Sequence, residues 1–149
     1  MITGEFLDHY SMNSDAYAIR KEVFIDELSC DDIFLNDNVD TMAHHILVKD
    51  GDLPIGTGRI ILDDLDTYIG RIAVLKSHRG QSIGDLIVRM LIDRAFRLGL
   101  EPIKVFARLD TLDFYKSIGF EVISESYVKE AVEIIEMTIM EKNMKRKCH

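Results

Sequence analysis

The stretch Tyr68-Ile69-Gly70-Arg71-Ile72-Ala73-Val74-Leu75, followed by Lys76-Ser77-His78-Arg79-Gly80-Gln81-Ser82-Ile83-Gly84, decides the fold. Its first part is apolar and partly β-branched, which suits a buried strand, and Lys76, Ser77 and His78 end it with polar residues. From Ile83 the apolar residues Leu86, Ile87, Met90, Leu91, Ala95 and Leu98 recur at helical spacing, with Gly99 placed as a C-terminal cap. Asp85, Arg89, Asp93 and Arg97 stand four apart on the opposite face, where each pair adds about 0.2–0.5 kcal/mol. The stretch therefore reads as strand, tight turn and long amphipathic helix.

A helix that begins directly from a turn containing Gly80 and Gly84 has unpaired N–H groups in its first turn, and the positive end of its dipole faces what lies before it. Phosphate is the natural guest of such a place. Arg79 can add a bidentate, charge-assisted bond to a phosphate oxygen and Ser82 a hydroxyl donor, while a missing Cβ lets a bulky anion approach the backbone. The stretch is neither a P-loop, which would end in Gly-Lys-Ser/Thr, nor the G-x-G-x-x-G of a dinucleotide-binding turn. The plain alternative is a strand-to-helix turn with an exposed arginine.

Upstream, Tyr17, Ala18, Ile19, Val23, Phe24 and Leu28 recur at helical spacing behind Ser14 or Asp15 as N-cap, which predicts a first helix. Residues 31–42 carry Asp31, Asp32, Asp37 and Asp40 among isolated apolar side chains and read as a wet, irregular acidic loop with one short helical turn. His45 to Val48 and Ile55 to Leu62 form a hairpin about Lys49-Asp50-Gly51-Asp52, its second strand weakened by Gly56 and Gly58. Asp63 to Asp66 then turn the chain into the Tyr68 strand. Downstream, Ile103 to Ala107 should lie parallel to that strand, because a strand–helix–strand unit returns by a right-handed crossover. Asp110 or Thr111 caps a short helix through Ile118, Gly119 stops it, and Glu121 to Ser126 and Ile134 to Met140 supply two last strands.

The 149 residues suit one domain over 1–149, with 143–149 a frayed tail and Lys145-Arg146-Lys147 a solvated run within it. A formal charge of −8 disfavours nucleic acid or an anionic membrane as partner, and favours a cationic substrate if the acidic residues gather at the mouth of a site. Cys30 and Cys148 make neither a disulfide framework nor a zinc site, and no basic, apolar leader or long apolar run is present, so a cytoplasmic location is expected. His44 and His45 are adjacent, so on a strand they face opposite ways and cannot chelate together; no metal is expected.

At Arg79, Ser82 and Gly84 the sequence resembles the GNAT superfamily of acetyl-CoA-dependent N-acetyltransferases, whose signature here is Arg/Gln-x-x-Gly-x-Gly/Ala. Ser82 replaces the middle glycine. Phe114-Tyr115-Lys116-Ser117-Ile118-Gly119-Phe120 looks like the family's second element, FYxxxGF. The resemblance implies an α/β (α+β) fold with a mixed, mostly antiparallel central sheet flanked by helices and a splayed parallel strand pair that holds acyl-CoA. It also implies that the backbone of Ile72, Ala73 and Val74 binds the pantetheine arm and that Arg79, Gly80, Gln81, Ser82, Ile83 and Gly84 hold the diphosphate, with Arg108 and Tyr115 bordering the same cofactor. Tyr115 matches the tyrosine that faces the leaving sulfur; read as a residue alone, it is equally a core aromatic.

Ile19 to Glu27, Asp40 and His45 look like a bacterial subgroup in which the first helix and acidic loop border an amine acceptor of small-molecule or peptide type. On that resemblance Glu27 is the expected acceptor-side carboxylate or base, with His45 the second candidate and Asp40 also at the acceptor site. The residues alone read more simply as a solvated glutamate and a structural histidine. Two departures bear on acceptor chemistry: Arg108 stands where relatives usually carry Asn or Gln, and Ile134 where the subgroup usually has His. The rival reading is a non-catalytic acyl-CoA-binding or sensing module, and homodimerisation is left open.

Overall fold

The protein is described by a computed structural model over residues 1–62 and 65–146. In chain order the strands are β1 (Ile2–Leu7), β2 (His44–Asp50), β3 (Leu53–Ile61), β4 (Thr67–Val74), β5 (Ile103–Arg108), β6 (Glu121–Val122), β7 (Tyr127–Lys129) and β8 (Val132–Ile139). The helices are α1 (Asp15–Arg20), α2 (Ile83–Arg97) and α3 (Leu112–Ile118). The strands form one eight-stranded sheet in the order β1-β2-β3-β4-β5-β8-β6, with β7 also on β8. Each pair is antiparallel except β4 with β5. This is the mixed α+β architecture the sequence implies.

The period of two along β2 sorts the core into two layers. Ile46 and Val48 join the cluster under α2 and α3, whereas Leu47 packs with Ala73 against Ile19, Val23 and Phe24 on the other face. Gly56 and Gly58 do not weaken β3; they let α2 lie close to it. A Cβ on Gly58 would stand 2.7 Å from Ile87 Cγ2 and 2.8 Å from Ile72 Cδ1.

The first helix is α-helical only to Arg20 and continues as a π-helix over Lys21–Glu27, with Leu28 N–H bonded to Val23 O at 3.1 Å. Ser14 is its N-cap by position, yet the Ser14 Oγ accepts from the Ser11 N–H at 2.9 Å instead of capping the helix. Strands β1 and β7 carry no clear sequence signal. Strand β1 is an edge strand interrupted by Gly4, and β7 is three exposed residues before the turn residues Glu130 and Ala131, whose φ of 52° and 64° is not announced by Gly, Asn or Asp.

The parallel pair β4–β5 is short. Thr67 pairs Ile103, Tyr68 pairs Lys104 and Ile69 pairs Val105, and there the ladder stops. Arg71 takes a φ of 53° and the register against β3 shifts between Thr57 and Arg59, so β4 bulges as it leaves β5. The two strands run on to Val74 and Arg108 apart from each other.

The frayed tail expected from residue 143 is held to the fold at Lys145. Lys145 N–H donates to Ile118 O at 2.7 Å, and Arg89 Nη1 donates to Lys145 O at 2.7 Å. Residues 147–149, and Asp63 and Asp64 of the expected turn, lie outside the described residues. Among the described residues no helix is long and apolar enough to cross a membrane.

Candidate active site

Where β4 and β5 part, a cleft of about 1270 Å³ opens. It is lined at the turn by Arg79, Gly80, Ser82, Ile83 and Gly84, along the parting strands by Ile72 to Val74, Arg108 and Tyr115, and elsewhere by Phe34, Asp37, Arg59, Arg71, Phe106 and Glu130. Gln81 does not line it.

The turn has the shape an anion cradle needs. Gly80 has φ 79° with nothing within 4 Å of where a Cβ would stand, and Ser82 sits in the left-handed region at φ 64°, ψ 23°. Ser82 O accepts from Leu86 N–H at 3.1 Å as the first α2 bond, so the N–H groups of Ile83, Gly84 and Asp85 precede that ladder. Arg79 donates Nε–H to Val74 O at 3.0 Å and clasps Glu27 with Nη1 at 2.5 Å and Nη2 at 2.6 Å. Three of its five N–H groups are thus engaged, and two are left for a phosphate oxygen.

That clasp joins two residues expected in separate roles. The Arg79 hydrogen bonds hold the Glu27 carboxyl below the usual carboxylate range, which makes it a weaker base than a free glutamate. Its expected role as general base is at odds with this geometry.

Tyr115 is 7% exposed, packed edge-on between Phe114 and Phe120 with ring centroids 5.0 and 5.4 Å away. Among the described residues no group hydrogen-bonds its hydroxyl. Burial pushes the phenol up to about 12, opposed by the Arg108 charge, so it stays protonated and can only donate or accept a hydrogen bond at neutral pH. Arg108 ends β5 opposite Ile134 on β8, so the two departures from the family pattern face each other across one strand pair. Ile134 is 4% exposed and lines the cleft.

Asp40 and His45, expected at the acceptor side, do not line the cleft. They belong to a buried charge network behind it. Asp40 accepts from Arg20 Nη1 and Nη2 at 3.1 and 3.0 Å and from Arg59 Nη1 at 2.9 Å. Burial pushes its carboxyl up, but these arginines overcome burial and hold it well below the ordinary range. His45 Nε2 donates to Asp40 O at 2.9 Å and Nδ1 accepts from Arg20 at 3.3 Å, which needs the neutral imidazole; burial lowers its pKa accordingly. Tyr10 stacks on His45 with centroids 4.3 Å apart.

The network continues into the cleft wall. Arg59 pairs Asp37 at 2.7 Å, and Arg71 joins Asp37 at 3.2 Å and Glu130 at 3.0 Å. Sequence reasoning missed Arg20, Asp37, Arg59, Arg71 and Glu130 as members of one unit. The signal was present: an arginine inside an apolar strand, as in Gly58-Arg59-Ile60, must find a carboxylate, and the acidic loop is the nearest supply.

A mixed sheet that opens into a cleft beside a glycine-bearing strand-to-helix turn, with a buried tyrosine in the gap, defines an acyl-transfer class of fold. The sequence profile of the Acetyltransferase (GNAT) family matches residues 9–120, and the chain belongs to that family and is an acyltransferase. It is 34% identical over 117 residues to the uncharacterized N-acetyltransferase YjcF of Bacillus subtilis, covering 78% of this chain and 84% of that one. A solved structure from Lactobacillus plantarum superposes at TM-score 0.82 and 24% identity, covering 92% of this chain and 96% of the other. A GNAT family acetyltransferase from Elizabethkingia anophelis, solved with acetyl-CoA bound, superposes at TM-score 0.62 and 18% identity over 92% and 94% of the two chains. Likeness at these two identities speaks to the fold.

Proposed function

We propose that the chain, acting as one cytoplasmic catalytic domain, transfers an acetyl group from acetyl-CoA directly to an amine of a small molecule or peptide. The observation that carries this reading is the parting of β4 from β5 after Ile69 and Val105, with Tyr115 lining the gap. Past that point β4 has an edge without a β5 partner, to which an amide-bearing arm adds as a strand. The N–H groups of the turn, the α2 dipole and the two remaining Arg79 N–H groups suit the diphosphate. Acetyl-CoA, when bound, supplies the activated acyl thioester.

Tyr115 donates a hydrogen bond to the sulfur as negative charge develops there. With its own pKa pushed up to about 12, giving the proton outright to a thiolate of pKa about 8.5 is uphill, so stabilisation is its role. The acceptor meets the opposite problem: an alkylammonium of pKa about 10.4 must lose a proton first, a penalty of roughly 4.6 kcal/mol at pH 7. Among the described residues, every carboxylate lining the cleft already has a cation: Glu27 with Arg79, Asp37 with Arg59, Asp66 with Lys104, Asp85 with Arg89, Asp110 with Arg108 and Glu130 with Arg71. The amine therefore delivers its proton to water in the open cleft.

The test is thiol release from acetyl-CoA across a panel of amines. The expected result is amine-stimulated release that falls about a hundredfold in kcat for Tyr115→Phe at unchanged CoA affinity. Tight CoA binding with no release for any amine would favour the acyl-CoA-binding module instead.

A further inference from the structure

The cleft does not end at the turn. It continues past Gly84 between the start of α2 and α3, where Asp85, Arg89, Phe114 and Ser117 line it, and there it meets Lys145 and Arg146. These residues come from a segment that reads in sequence as loose tail. The fold instead carries the tail back across the molecule. A short 3₁₀ turn at Glu141–Asn143 brings it to Gly119, and backbone bonds at Lys145 pin it to Ile118 on one side and Arg89 on the other. Gly119 is the residue that permits this: a Cβ there would stand 3.1 Å from Met144 Cα, and its φ is 126°.

The charges at this end of the cleft are unequal in one respect. Arg79 is taken by Glu27, and Arg89 by Asp85 at 2.8 Å. Among the described residues no carboxylate pairs with Lys145 or Arg146. Both are exposed, so they keep their hydration and mobility until an anion arrives. In a chain of net charge −8, two unpaired cations at the rim of the cleft, on a segment whose backbone is pinned at Lys145, are an anion receptor with a defined address.

Resting on the acetyl-CoA reading above, we infer that Lys145 and Arg146 bind the 3′-phosphate of CoA and give the enzyme its preference for CoA over carriers lacking that phosphate. The diphosphate lies on the turn at Arg79 to Gly84, and the adenosine end runs along the groove between α2 and α3, so the terminal phosphate arrives at the tail. A dianion facing two exposed cations gains roughly tenfold in affinity, and this gain shrinks with added salt.

Calorimetric titration of the full-length chain with CoA and with 3′-dephospho-CoA tests the inference. The wild type should bind CoA roughly tenfold more tightly. Lys145→Ala/Arg146→Ala keeps both backbone bonds, and a thermal melt verifies its fold; it should bind the two carriers equally, with dephospho-CoA affinity unchanged. A wild type that does not distinguish the carriers overturns the inference, and so does a double variant that keeps the preference. A wild type that binds neither carrier removes the acetyl-CoA reading itself, a different result from losing the preference alone.

Discussion

Replacing Asp40 by Asn changes one charge and almost no volume, and the buried network predicts a large loss. The Asp40 carboxylate is 2% exposed and accepts from Arg20 at 3.0 and 3.1 Å, from Arg59 at 2.9 Å and from the Asp37 N–H at 2.9 Å. An asparagine presents a donor NH₂ where two arginines already donate. It also strands Arg20, which is 0% exposed, without its counter-charge. Breaking one side of a buried pair costs about 3–5 kcal/mol. With a urea slope of about 2 kcal/mol per molar for a chain of this size, the unfolding midpoint should fall by about 1.5–2.5 M. Circular dichroism in urea at pH 7 measures it. The sign against pH follows: the folded Asp40 pKa lies below its unfolded value near ~3.9, so this stabilisation is present above that pH and is lost as pH falls through the folded pKa. Wild type and Asp40→Asn should therefore converge in stability at strongly acid pH. A midpoint shift under about 0.5 M at pH 7 would refute the network as a stabilising unit. So would a double-mutant cycle with Arg20→Met whose coupling is near zero, where about 1–3 kcal/mol is expected.

Burial keeps His45 neutral and lowers its pKa, so between that value and the unfolded ~6.5 the unfolded chain binds more protons and stability falls on acidification. His45→Gln should flatten urea-derived stability between pH 7 and 5; an unchanged slope would assign it to His44, which is shifted the same way by burial and Arg94. Ser82→Gly removes a Cβ from a left-handed residue but loosens the unfolded chain, so stability should move by less than about 1 kcal/mol, whereas Ser82→Val should cost about 1–2 kcal/mol. Opposite ordering in thermal melts would show that the turn is not left-handed at Ser82. Because the cleft carboxylates are paired, the pH–rate profile should rise with the acceptor's own ammonium pKa, and Glu27→Gln should leave that rise in place. Collapse of kcat about a hundredfold in Glu27→Gln, with loss of the rising limb, would restore Glu27 as the base.

What was legible in the sequence is what short-range spacing encodes. Helix α2, its Gly99 end and the turn before it follow from a 3.6 period and from glycines that lie within a few positions of their effect, and the parallel return of β5 follows from chain connectivity. The π-helical end of the first helix was not legible, since its apolar spacing fits an α-helix equally well. Nor were contacts that join distant positions: Glu27 with Arg79 lies 52 residues apart, and Arg71 with Glu130 lies 59 apart. These are the contacts that set the chemistry. A carboxylate becomes a base only if nothing cationic holds it, and that is decided by which strand a distant arginine stands on. Charge counting carries further than local spacing: arginines at 59 and 71 interrupt apolar strands, each needs a buried partner, and the loop holding Asp37 and Asp40 is the supply. The loop that reads as wet is therefore dry where it matters, and its carboxylates cost the cleft a base while fixing its wall. On the proposed acetyl-transfer reading, a fold that commits its acidic groups in this way leaves acceptor deprotonation to water, and the cleft wall at Phe34, Arg71 and Phe106 is where discrimination among acceptors is expected.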